Sequence, residues 1–160
     1  MPANPKEAAE PGPAREVVST RLLAFPRAAV FTAFADPAQL ARWWGPAGFR
    51  NTIGAFDFRP GGTWRVTMHA PDGTDYANES VFVEIAPPAR IVFRHLDPVH
   101  AFQMAMTFAP AGASTRLTWR MTFDSAAECE RVRGFVTPAN EQNFDRLADH
   151  LRHHPSTPSP

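Results

Sequence analysis

A chain of 160 residues is one domain by size, and such a domain buries about two-thirds of the surface its unfolded chain exposes. The 16 basic and 16 acidic residues balance without a Lys/Arg run, which argues against nucleic acid or an anionic membrane surface as the main partner. A single cysteine, Cys129, excludes an internal disulfide framework, and no apolar run is long enough for a membrane span or a secretory leader, so a cytoplasmic setting is expected.

Proline-rich, apolar-poor ends mark residues 1–14 and 154–160 as tails, leaving 15–153 as a single domain. Glu16 to Ala24 reads as a first strand from its β-branched and apolar content. Pro26 opens a short helix with Val30, Phe31 and Phe34 in a stripe. Asp36-Pro37, a cap followed by proline at the first helical position, opens a second that runs to about Trp44, where Gly45-Pro46 stops it. Strands are then expected over Asn51–Phe58, Thr63–His69, Asp75–Ala86 and Arg90–Leu96, punctuated by the turns Pro60-Gly-Gly62, Pro71-Asp-Gly73 and Pro87-Pro88. Two strongly alternating strands follow, with Phe102, Met104, Met106 and Phe108 on one face of the first and Leu117, Trp119, Met121 and Phe123 on one face of the second.

Ser125-Ala-Ala-Glu128 is a capping box for a preliminary helix, with Gly134 and Pro138 expected to kink or break it. Thr137 as cap and Pro138 as first residue start a longer helix to His153, whose Asn140, Phe144, Leu147, Ala148 and Leu151 share a face. At roughly 1.5 Å per residue it is about 24 Å long, enough to lie across a sheet. Hairpin-linked strands pair antiparallel, and their apolar face needs a cover. The expected fold class is therefore α+β: a curved antiparallel sheet of about seven strands gripping a long C-terminal helix, with two short helices after the first strand.

Six stretches in this order resemble the START-like, or SRPBCC, helix-grip superfamily, in the branch related to the activator of heat-shock protein 90 ATPase. They are Val30-Phe31 with Asp36-Pro37 through Arg42-Trp43-Trp44-Gly45-Pro46; Asp57 to Trp64; Pro71-Asp72-Gly73; Glu84 to Ile91; Thr115 to Trp119; and Asn143 to Leu147. The resemblance runs from about Val17 to Leu151 and implies a deep cavity between sheet and long helix; were that space filled by the protein's own side chains, with no pocket of roughly 300 Å³ or more, the reading as a carrier would fail. The superfamily hosts carriers, cyclases, lyases and protein-binding domains on one scaffold, so the resemblance speaks to fold more than to function.

On that scaffold the candidate ligand-binding residues follow. Trp43 and Trp44 sit about 100° apart on a helix, so one belongs to the core and the other to the helix–sheet junction or the cavity mouth. Met68, Met104, Met106 and Met121 share the inner face with Trp64, Phe102 and Trp119, as plain core or as an adaptable apolar wall. Tyr76, Asn78, Ser80 and Phe82 share one face of a central strand; Val81, Val83 and Ile85 on the other are also apolar, so alternation allows either face inward. Phe93 and His95 point the same way as Ile91, putting His95 at the rim. Asn140 offers a hydrogen bond from the helix, one turn before Phe144.

His95 and Tyr76 are the candidates for any acid–base chemistry. His69, His95 and His100 lack zinc-motif spacing, and no phosphate loop, nucleophile elbow or redox CxxC is present, so neither metal nor cofactor is expected. Cys129, between Glu128 and Glu130, is a poor nucleophile. The expected function is binding of a small, largely apolar molecule. The rivals are a polyketide cyclase-like enzyme using His95, Tyr76 and Asn78, and a protein-interaction domain, for which the residues supply no chaperone-binding surface. An edge strand or the outer sheet face would serve to pair two copies.

Overall fold

The computed structural model describes residues 12–97 and 101–153. Of the residues expected to be tails, 1–11 and 154–160 lie outside these, whereas Gly12–Arg15 forms a 3-10 turn that runs directly into the first strand. Strands β1 (Glu16–Leu23), β2 (Arg50–Phe56), β3 (Thr63–His69), β4 (Asp75–Ala86), β5 (Arg90–Asp97), β6 (Phe102–Ala111) and β7 (Ser114–Phe123) form one sheet. Helices α1 (Arg27–Ala35) and α2 (Pro37–Trp43) follow β1, and α3 (Ala126–His153) closes the chain.

The strand order is β1-β7-β6-β5-β4-β3-β2, every neighbouring pair antiparallel. β1 and β2, consecutive among the strands, stand at opposite edges. The α1–α2 pair therefore carries the chain across the sheet's whole width. Asp36 caps α2 by accepting a hydrogen bond from the Ala38 amide at 3.0 Å, and Pro37 fills the first turn, where its missing N–H leaves nothing unsatisfied.

Period two places Trp64, Phe82, Phe93, Met104, Met106, Leu117, Trp119 and Met121 on the buried face, and Phe144, Leu147 and Leu151 of α3 are buried with them. Trp119 meets Phe144 edge to face, centroids 4.7 Å apart. Arg21, at the inner edge of β1, carries the acidic flank of α3: it pairs with Glu141 at 2.9 Å and Asp145 at 3.0 Å, its guanidinium 5.5 Å from the Phe144 ring centre.

Two readings of the sequence are corrected. The long helix does not start at Thr137 but runs unbroken for 28 residues from Ala126, with Pro138 inside it and Thr137 exposed. Of the expected capping box, Ser125 Oγ accepts from the Glu128 amide at 3.1 Å, while the Glu128 carboxylate pairs with Arg131 instead. Pro138 is carried inside the helix because the Val132, Val136, Asn140, Asn143 face buries on both sides of it, which outweighs the hydrogen bond that proline withholds. Second, Ile85 does not share the outward face of Val83. The β4–β5 register passes from Phe82 opposite Phe93 to Glu84 opposite Val92, and this bulge turns Ile85 inward against Ile91 while Val83 stays 49% exposed.

Among the described residues no helix is long and apolar enough to cross a membrane.

Candidate functional site

Between β3–β7 and α3 lies a cavity of about 190 Å³. Its wall is a consequence of register. Trp64, Ser80, His95 and Phe102 stand opposite one another across β3, β4, β5 and β6, and the next row runs Phe93, Met104, Met121. Val66, Met68 and Asn78 extend the wall toward the turn that joins β3 to β4, α3 contributes Ala139, Asn140 and Asn143, and Trp119 comes from β7. The segment leaving α2 closes the remaining side with Trp44, Gly45 and Pro46.

Some of the polar groups on this wall have partners and others do not. His95 is buried, its ring stacked on Phe102 with centroids 4.8 Å apart. Its Nε2 lies 2.8 Å from Asn78 Oδ1, and Asn78 Nδ2 donates to the Tyr76 carbonyl at 3.0 Å. With the amide nitrogen so engaged, the oxygen accepts, which puts the proton on His95 Nε2. Asn140 Nδ2 donates to Ser19 Oγ at 3.2 Å and approaches the Met121 sulfur at 3.5 Å, tying α3 to β1 and β7. Asn143 Oδ1 and the indole nitrogens of Trp64 and Trp119 are buried without a hydrogen-bond partner. Among the described residues no Asp, Glu, Lys or Arg lines the cavity.

The Trp44–Pro46 wall is held by residues far away in sequence. Arg146 of α3 donates through Nη1 to the carbonyls of Trp44 (2.9 Å), Gly45 (3.0 Å) and Pro46 (3.0 Å), and through Nη2 to those of Arg42 (3.2 Å) and Phe49 (2.9 Å). Several of these carbonyls close the C-terminus of α2, where a cation is favoured. Burial pushes the Arg146 guanidinium below its ordinary value. Gln142 Oε1 accepts from the Ala47 amide, and Asn51 Nδ2 donates to the Ala41 and Trp44 carbonyls. Gly45 sits at φ +96, which favours glycine, and a Cβ there would have only to push aside the Met68 methyl 2.8 Å away.

Of the candidate residues, Trp44, Trp64, Met68, Asn78, Ser80, Phe93, His95, Phe102, Met104, Trp119, Met121 and Asn140 line this cavity, and five do not. Trp43 is core: 1% exposed, its indole donates to the Ala33 carbonyl at 3.1 Å. Phe82 and Met106 belong to the aromatic end beneath α1 and α2, where side chains leave about 10 Å³. Phe144 is buried against Trp119. Tyr76 is 40% exposed near Phe49, because β4 runs past the cavity there. The side chains of Asn78 and Ser80 settle which face of β4 points inward. The cavity falls short of the roughly 300 Å³ required of a carrier, since three methionines and Trp44 occupy much of the space between helix and sheet; a drug-sized guest is thereby ruled out, and the room left is that of about one ring.

Asn143, Gly45, Pro46, Val66 and Ala139 line the cavity beyond those expected; the signal for Asn143 was its place one turn after Asn140 on the same helix face. His69 lies outside, hydrogen-bonded to Thr52 at 2.8 Å and Asp75 at 2.7 Å, and His100 falls outside the described residues. Away from the cavity, Glu79 pairs with Arg65, Arg94 with Asp124, and Asp57 with Arg59 across its turn. A second, open groove of about 490 Å³ is lined by Arg42, Asp145, Arg146, Asp149, His150 and His153 at the end of α3. Among the described residues no cluster of three His, Cys, Asp or Glu is placed to hold a metal ion.

Solved structures share this architecture. A crystal structure of a protein from Nitrosomonas europaea matches with a TM-score of 0.80 at 19% identity, over 88% of this chain and 96% of that one. One from Rhodobacter sphaeroides matches at 0.80 and 20% identity, over 90% and 96%. The AHSA1 protein from Silicibacter pomeroyi matches at 0.70 and 21% identity, over 86% and 98%. No curated protein matches the chain. The model of the family described as Activator of Hsp90 ATPase homolog 1-like protein matches residues 24–152, from the end of β1 through nearly all of α3. The chain belongs to that family, in the START-like helix-grip superfamily.

Proposed function

We propose that this protein binds a small, neutral, largely apolar molecule of about one-ring size between its sheet and α3. The observation that carries the reading is a cavity of about 190 Å³ walled by Trp44, Trp64, Phe93, Phe102, Met104 and Trp119 and lined, among the described residues, by no charged side chain. An apolar hollow of about 150 Å³ suffices for benzene. An ion of either sign would lose its hydration there without gaining a counter-charge. Exposed large apolar side chains do not favour a protein partner: Val18 and Leu22 stand opposite Arg120 and Arg116, and Val83, Leu96 and Phe135 lie on other elements.

Native mass spectrometry of protein purified from its own cells tests the reading. A neutral aromatic or aliphatic guest released on unfolding is expected. Protein that is empty and takes up no neutral one-ring compound at millimolar concentration contradicts it.

A second reading, an enzyme acting on the same guest, is favoured by His95, a titratable side chain on the cavity wall 2.8 Å from Asn78. His95→Gln then abolishes turnover while guest binding persists; equal turnover in the variant removes the reading.

A further inference from the structure

The cavity wall leaves a polar demand that the protein does not meet. Asn143 stands on the sheet-facing side of α3, one turn beyond Asn140, and is 6% exposed. Its Oδ1 has no partner. The neighbouring polar groups are committed elsewhere: Asn140 Nδ2 to Ser19, His95 Nε2 to Asn78, Asn78 Nδ2 to Tyr76. The indole N–H groups of Trp64 and Trp119, on the same cavity, also lack an acceptor. Buried polar groups left in this state are uncommon, and those gathered round one hollow point to a missing partner.

The missing partner has a definable chemistry. Asn143 Oδ1 needs a donor and the indoles need an acceptor. A carboxylate supplies no donor and brings a charge that none of the described wall residues balances, and an ammonium supplies no acceptor. A hydroxyl does both. It also satisfies the Asn143 carboxamide whichever end faces the guest, because it accepts from the nitrogen as readily as it donates to the oxygen. The rest of the wall is aromatic and a single ring fits the volume.

We infer that the guest is a neutral one-ring aromatic hydroxyl compound, a phenol or benzylic alcohol, whose hydroxyl hydrogen-bonds to Asn143; this rests on the cavity reading above. Asn143 is thereby the specificity-determining residue.

Three one-ring probes, phenol, toluene and benzoate, titrated calorimetrically at pH 7 into the full chain and into Asn143→Leu, test it. Toluene leaves water more readily than phenol does, so a hollow offering no hydrogen bond prefers toluene. The expected result is phenol tighter than toluene by at least about fivefold in the wild type, benzoate much weaker than either, and the phenol advantage lost in Asn143→Leu with toluene held or improved. Toluene binding as tightly as phenol overturns the inference, as does a phenol advantage that survives the substitution. So does benzoate matching phenol. Toluene and phenol binding alike removes this inference and leaves the cavity reading standing, whereas no binding by any neutral probe removes both. Should Asn143→Leu fail to fold, the wild-type ranking and Asn143→Ala decide the same question.

Discussion

Arg146 reaches five backbone carbonyls within the eight residues from Arg42 to Phe49. Its task is backbone satisfaction, which a shorter or neutral side chain cannot reproduce. Arg146→Met should lower stability by about 2–4 kcal/mol, since hydrogen bonds to a charged donor are the stronger kind and the orphaned carbonyls lose them together. Chemical denaturation measures the loss, and a change in Trp44 emission should accompany it. A variant as stable as wild type would show that water replaces the guanidinium. Cys129 makes the pH-dependent case. It is fully buried, and burial first of all, with Glu130 and Glu16 adding and Arg133 opposing, pushes its thiol above the ordinary value. In the unfolded chain the thiol ionises at its usual value while in the folded chain it stays protonated. Its contribution is therefore constant below the usual thiol range and is lost as pH rises through and beyond it. The stability gap between wild type and Cys129→Ala, followed from pH 7 to 10, should narrow; a gap that widens contradicts the burial argument. The native thiol should also react slowly with a disulfide reagent.

At the scale of elements, two features turn on space that a sequence does not display. Gly62 carries a backbone approach: a Cβ there would lie 1.9 Å from the Asp57 carbonyl oxygen, while Gly54, at the β2 bulge, has nothing within 4 Å. Neither has a positive φ, so the comparison isolates crowding. Gly62→Ala should cost more than about 3 kcal/mol and Gly54→Ala less than about 1 kcal/mol, read from denaturation midpoints. Equal costs would mean that the turn relaxes. Pro138 withholds a helical hydrogen bond from the Gly134 carbonyl on the exposed side of α3. Pro138→Ala should raise stability by about 1–3 kcal/mol, visible as a higher Tm; an unchanged or lower Tm would mean that proline's stiffness matters more than the missing bond. The alternation of Phe102 to Phe108 and Leu117 to Phe123 was legible because neither strand carries a bulge, so period two holds along their whole length. It failed at Ile85, where one extra residue at Val83 reverses the side. Thr137-Pro138 read as a helix start because proline chemistry is local, whereas the burial that carries α3 through it is not.

For the whole molecule, the grip was legible: two apolar strand faces and one long amphipathic helix have few ways to cover each other. The site was legible in part. Trp64, Met104 and Trp119 follow from register alone. Trp44 could not be told from Trp43 until the end of α2 placed one against Ala33 and the other over the cavity. Asn140 looked like the offered amide because its partner, Ser19, lies 121 residues away on β1; with that bond made, Asn143 is the group left over. The volume was the least legible quantity, since it is the small difference between the space the backbone encloses and the side chains that occupy it.

The four tryptophans supply the most direct test of the central claim, that the hollow under α3 admits a neutral ring. Their indole N–H resonances can be followed one by one in a nitrogen-15 NMR titration with benzyl alcohol. Trp44, Trp64 and Trp119 line the cavity, while Trp43 is sealed in the core on the Ala33 carbonyl. The account predicts saturable shifts of the first three with Trp43 unmoved. Four stationary resonances, or four that drift together without saturating, would contradict it.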